Sequence, residues 1–223
     1  MVAATVPSVG RFPTVLVTGF EPFGGREINP SWMAVQALHG RIVGDHRIIG
    51  AQLPTVFDQS LTSLRALLLH HRPDLVLCVG QAGGRAALSL ERIAINVNDA
   101  RIADNAGSKP VDTPVIAGGP AAYFTTLPIK AMLQSLIDAG INAEVSQTAG
   151  TFVCNHVFYG LMHEVATQPR LRHTRAGLVH VPLLPSQGQP SMRLDEIVEG
   201  LRVGVACALA TVTDIRKGAG ALN

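Results

Sequence analysis

Aromatic residues make up 4% of this 223-residue chain, and cysteine is scarcer still, with three. Cys78, Cys154 and Cys207 are odd in number and unrelated in spacing. That excludes a disulfide framework and a CxxC metal pattern, and it predicts a reducing, cytoplasmic location. An excess of one charge is also missing. The 18 Lys and Arg are scattered among 16 acidic residues for a net charge of +2, so no basic stripe points to nucleic acid or to a membrane surface. The longest apolar stretch, Val203 to Val212, falls well short of the roughly 20 residues that span a bilayer. Met1 to Pro13 lack the basic n-region and apolar run of a signal peptide and read as a flexible tail, as do residues 216–223. No repeat, polar low-complexity tract or linker interrupts the chain. With 47% hydrophobic residues it can bury one large core, and a single domain over 14–215 is expected.

Short β-rich runs alternate with helical patterns, the signature of an α/β protein with a mostly parallel sheet. Strands are expected at 14–18, 47–53, 74–80, 90–98, 142–146 and 176–182. Asn29 and Pro30 supply the N-cap and first residue of a helix through Leu38. Further helices are expected at 56–70, at 128–139 with Pro128 first and Gly140 closing it, and at 192–212. Three loops stand out. Gly19 to Gly25 leaves the carboxyl end of the first strand, where open α/β sheets bind ligands, and carries Phe20 and Phe23. Core packing under the loop and ligand lining are equally good readings of those two rings. Gln81 to Arg85 is a glycine-rich turn that matches neither GxGxxG nor a Walker A pattern. The span 107–120, with three prolines and three glycines, is the expected lid or subunit-contact loop.

The stretch from Thr148 to Val165 places Cys154 where a small-residue turn gives way to a helix. With Thr151 as N-cap, Cys154 lies in the first turn, where free amides and the macrodipole favour a thiolate. The ordinary reading of a lone cysteine is a small core hydrophobe, and Cys78 and Cys207 are read so. A thiol nucleophile needs a base and a group that orients the base, drawn from other elements. His180, near the end of an apolar strand stopped by Pro182, and Glu91, at the start of the strand over 90–98, fit that plan. His156 lies two residues from Cys154 on the helix and points elsewhere. His163 completes no HExxH, so zinc is not expected.

Several strings together are similar to the pyroglutamyl peptidase I family of cysteine peptidases. They are Val17 to Gly25 with Asn29-Pro30, Val79 to Arg85, Glu91 to Asn96, Asp99 to Ile102 with Asp104-Asn105, Gly118 to Tyr123, and Ala149 to His156. The resemblance runs from about Val15 to Val212, with Ala103 standing where a proline is common. It implies an α/β/α sandwich, a homo-oligomer (tetramer or dimer) in the cytoplasm, and no metal or organic cofactor. It also implies hydrolysis of the bond after an N-terminal pyroglutamyl residue of peptides. Its catalytic residues fall on Glu91, Cys154 and His180. Its substrate-binding positions fall on Phe20, Phe23, Gln81 through its backbone, Arg101 and Val153. The alternatives are a nucleoside- or phosphate-binding, phosphorylase-like enzyme, and a non-catalytic α/β binding protein.

Overall fold

A computed structural model describes residues 12–220, so most of the expected N-terminal tail lies outside the described residues. The elements are β1 (Thr14–Phe20), α1 (Pro30–Leu38), β2 (Ile42–Val43), β3 (His46–Leu53), α2 (Phe57–His71), β4 (Leu75–Gln81) and β5 (Leu88–Glu91). They continue with β6 (Ile93–Ile95), β7 (Ala122–Phe124), α3 (Ile129–Asp138), β8 (Ala143–Ser146), α4 (Val153–Thr167), β9 (Arg175–Val181) and α5 (Leu194–Ala210). One seven-stranded sheet has the order β2-β3-β1-β4-β9-β5-β8. Strands β3, β1, β4 and β9 are parallel, whereas β5 and β8 run together in the opposite direction and β2 opposes β3. Helices α1, α3 and α5 cover one face, and α2 and α4 the other. The expected single-domain, three-layer α/β/α sandwich with a mostly parallel sheet is therefore the observed architecture.

Local signals explain several boundaries. Asn29 caps α1, its Oδ1 accepting from Ser31 N at 3.0 Å, with Pro30 in the first turn. Helices α2 and α3 begin after Val56 and Pro128, neither of which has a capping side chain. Carboxylates from distant segments take that place. Asp104 accepts from Phe57 N at 3.0 Å, and Asp214 accepts from Lys130 N at 3.0 Å and Ala131 N at 2.9 Å. Pro128 is thus the N-cap of α3 rather than its first residue, and Gly140 closes the helix at φ +74°. Within the expected C-terminal tail, Lys217 is tied to α3 through Gln134 and through a bond from Lys130 Nζ to its carbonyl.

The strand expected over 90–98 is two strands. Its first part, β5, ends at Glu91 in the main sheet, and after Arg92 the chain pairs β6 with β7 in a separate two-stranded sheet. Glu91 consequently ends a strand instead of starting one. The irregular span 107–120 holds no long element and is fastened to the scaffold. Asn96 bonds both Ile116 and Gly119, Asn98 pairs with Thr113, and Tyr159 Oη donates to Pro120 O at 2.7 Å. Any lid motion of this span has to break those bonds.

Candidate active site

Strand alternation brings Glu91 and His180 to one face of the sheet. In the parallel β4–β9 pair Gly80 lies beside His180, and in the antiparallel β5–β9 pair Ser89 lies beside His180, so Glu91 is one diagonal step away on the same side. That face is the one α4 covers, and α4 starts with Val153 and Cys154. Glu91 Oε1 accepts from His180 Nδ1 at 2.8 Å, with the two residues 0% and 4% exposed. The bond places the proton on Nδ1 and leaves the Nε2 lone pair open. A methyl carbon added to Gly80 would lie 2.8 Å from Cys154 Sγ and 2.9 Å from His180 Nε2. Thiol and imidazole therefore meet over a glycine whose missing side chain is the gap between them.

The start of α4 differs from expectation in two respects. Its N-cap is Phe152, not Thr151, and no side chain caps it. The Thr151 hydroxyl instead donates to Asp99 O at 2.7 Å, while Asp99 N donates to Thr151 O. Cys154 still lies in the first turn, but the dipole does not make it a standing thiolate. Burial, then the Glu91 charge, then Cys78 push its thiol up to about 12, outweighing the help from Arg85 and from its own amide. Burial and the Glu91 charge thus disfavour the free thiolate, and attack by sulfur calls for a base to receive its proton.

The Gly19–Gly25 loop and the 99–105 loop close over this end. Asn105 Nδ2 donates to Glu21 Oε1 at 2.8 Å and to Pro22 O at 2.9 Å, and Thr55 N donates to the same Glu21 oxygen at 2.9 Å. Phe20 is 1% exposed and packs in the cluster that includes Phe57, Ala100 and Val153. Phe23 is more open, with its ring 5.9 Å from that of Phe152. Val153 is fully buried at the first position of α4. Arg101 is exposed, has no hydrogen bond or ion pair, and lies two residues from the Asp99–Thr151 pairing. Gln81 ends β4 in register with Val181, so alternation turns its side chain to the face opposite Gly80 and leaves its backbone near the site.

Residues set aside in the sequence are accounted for. Cys78 is fully buried and Cys207 packs on α5's side of the core. His156 is 1% exposed, with Nδ1 3.0 Å from Asn98 Oδ1 and its ring edge-on to Phe57. Desolvation holds it down to about 4. Among the described residues no three His, Cys, Asp or Glu side chains form a metal cluster, and no helix is long and apolar enough to cross a membrane. Sequence reasoning missed three participants. Gly80 and Phe152 carried no distinctive signal, and Arg85 was read as part of a tight turn, although its Nη1 lies 2.6 Å from Glu91 Oε1.

A histidine oriented by a buried carboxylate and facing a cysteine at a bare helix start, on a three-layer α/β/α sandwich, defines a thiol hydrolase of the cysteine-peptidase class. The family model for pyroglutamyl peptidase matches residues 13–211, and the chain belongs to that family. Pyrrolidone-carboxylate peptidase of Cupriavidus taiwanensis is 58% identical over 95% of this chain and 100% of its own length. The crystal structure of pyroglutamyl peptidase I from Bacillus amyloliquefaciens superposes with a TM-score of 0.90 at 48% identity, covering 93% of this chain and all of that one. A variant of pyrrolidone carboxyl peptidase from Pyrococcus furiosus gives 0.86 at 42% identity, covering 90% of this chain and 100% of its own.

Proposed function

We propose that the chain hydrolyses the amide bond after an N-terminal pyroglutamyl residue, with Cys154 as nucleophile, His180 as general base and acid, and Glu91 orienting the imidazole. The observation that carries this reading is the 2.8 Å Glu91–His180 bond, with His180 Nε2 and Cys154 Sγ both lying close over Gly80. His180 Nε2 takes the thiol proton as sulfur attacks the carbonyl carbon. Negative charge then collects on the carbonyl oxygen beside the uncapped amides of the first α4 turn, where one donor contributes roughly 3 kcal/mol. Arg101, unpaired and close to that turn, is available to approach the same charge. The protonated imidazole gives its proton to the leaving amine, the C–N bond breaks, and water hydrolyses the thioester.

In this reading the flat lactam lies at the loop carrying Phe20 and Phe23, against the more open Phe23 with the buried Phe20 packed behind it, and its polar edge meets main chain such as that of Gln81. A prolyl peptide lacks the ring carbonyl and leaves a buried donor unpaired, and a free glutamyl N-terminus brings charge into an apolar pocket. The same reading carries a single catalytic domain over 14–215 and a cytoplasmic homo-oligomer, dimer or tetramer, with no metal or organic cofactor. Kinship with the pyroglutamyl peptidase family supports it, and no comparable observation favours a phosphorylase or a silent binding protein.

The test is turnover of pyroglutamyl- and prolyl-aminocoumarin substrates by the wild type, Cys154→Ala and Gly80→Ala. Cys154→Ala is expected to lose at least about a thousandfold in kcat with its fold retained. Gly80→Ala keeps all three groups but fills the gap between two of them, and a loss of at least about tenfold is expected from so small a displacement. Residual turnover by Cys154→Ala, or equal rates on the two substrates, would overturn the reading.

A further inference from the structure

We propose that Arg85 is a positioning residue for the reaction, setting the charge that His180 experiences and fixing the turn that delivers Cys154; this rests on the roles proposed for Cys154, His180 and Glu91. Arg85 Nη1 lies 2.6 Å from Glu91 Oε1, the same oxygen that receives His180 Nδ1 at 2.8 Å. Its Nη2 donates to Thr148 O at 3.1 Å, in the turn six residues before Cys154. One planar guanidinium thus joins the carboxylate of the base to the backbone that launches the nucleophile, a geometry an ammonium cannot reproduce. The other carboxylate oxygen, Glu91 Oε2, is buried with no hydrogen-bond partner among the described residues, so the contacts of this fully buried acid are concentrated on one atom.

Sharing that atom has a chemical consequence. An imidazole that must accept the Cys154 proton cannot be held too strongly in its charged form by the carboxylate beside it. The Arg85 cation, on the same oxygen, offsets part of the carboxylate's field at His180. The partial offset leaves the imidazole able to take the thiol proton, and the carboxylate still stabilises it when it charges during the reaction. Among the described residues, the ionisable groups placed around the imidazole are Glu91 on β5, Arg85 on the β4–β5 loop and Cys154 on α4. Arg85 is the only cation among them. Its side chain is 26% exposed, so it reaches the buried acid from the rim.

The experiment compares pH profiles of kcat/KM for the wild type, Arg85→Met and Arg85→Lys on a pyroglutamyl-aminocoumarin substrate, with circular dichroism confirming the fold. Arg85→Met removes the offsetting charge, so its acid limb should move to higher pH by about half a unit or more. Its kcat should fall about tenfold with KM little changed, because Arg85 does not touch the substrate. Arg85→Lys keeps the charge and loses the fork, so its acid limb should return toward the wild-type position while kcat stays low. A wild-type acid limb in Arg85→Met, or in a milder Arg85→Gln variant if Met prevents folding, would overturn the proposal. A parallel Cys154→Ala measurement separates the two claims: residual turnover there would discard the catalytic assignment itself.

Discussion

The amino ends of α2 and α3 and the amino end of α4 solve the same problem in opposite ways. All three helices follow a residue that offers no capping side chain: Val56, Pro128 and Phe152. At α2 and α3 the loose amides are taken up by carboxylates from remote segments, Asp104 and Asp214. At α4 no remote side chain among the described residues takes them up, and Thr151, the side chain best placed by type, is committed to Asp99. A filled cap stabilises a helix by about 1 kcal/mol. Leaving α4 without one forgoes that stability and, on the proposed mechanism, keeps its amides for a charge that exists only during reaction. The same end also refuses a cation. His156 Nδ1 is engaged by Asn98, while Nε2 is buried with no partner, so a proton there would be a buried charge at the positive pole of the helix.

The sharpest way to break the contrast is to give α4 the cap it lacks. Phe152→Asp should lower kcat by about a thousandfold relative to Phe152→Ala, roughly 4 kcal/mol, because the new carboxylate occupies the amides and repels the oxyanion. Both variants lose the ring that packs on Phe23 and Phe57, so equal kcat values would refute a role for the bare amides. Second in size is the acid behaviour of His156. Its folded value of about 4 lies below its ordinary 6.5, so the unfolded chain binds the extra proton. Stability is full above pH 6.5 and declines as pH falls toward 4, by roughly 3 kcal/mol at most. Urea titrations between pH 7 and 4 should show this loss, and His156→Gln should flatten it. The smallest effect is expected at α3: Asp214→Ala should cost about 1 kcal/mol in the same titration and leave kcat and KM unchanged. A kinetic defect there would mean that the capped ends are not merely structural.

Signals confined to one stretch of chain were legible in the sequence. Asn29 and Pro30 mark α1, Gly140 ends α3, and the apolar runs that became β1, β4 and β9 are buried central strands. His180 was found because Pro182 places it near a strand end, and Cys154 because a small-residue turn precedes its helix. What depended on distant partners was not legible. Hydrophobic alternation continues through Arg92, so nothing local shows that the chain leaves one sheet for another and that Glu91 ends its strand. Thr151 has the chemistry of an N-cap, and only the docked 99–105 loop diverts it. Arg85 and Glu91 are six residues apart with a turn and a strand between them, a spacing that carries no contact information until the fold supplies it. The pyroglutamyl peptidase resemblance covered the family and the architecture, but it said nothing of the empty space over Gly80.

Glu21 Oε1 receives both Thr55 N and Asn105 Nδ2, and the Glu21 carbonyl receives Thr55 Oγ1 at 2.9 Å and Asn29 Nδ2 at 3.1 Å. The loop carrying Phe23, the β3–α2 connection, the 99–105 loop and the start of α1 are therefore sewn to a single residue. Local unfolding of any one of them strips partners from the others, so they behave as one cooperative unit in hydrogen exchange. The walls around the phenylalanines loosen together or not at all, and the exchange rate of the Thr55 amide is a direct clock for that event.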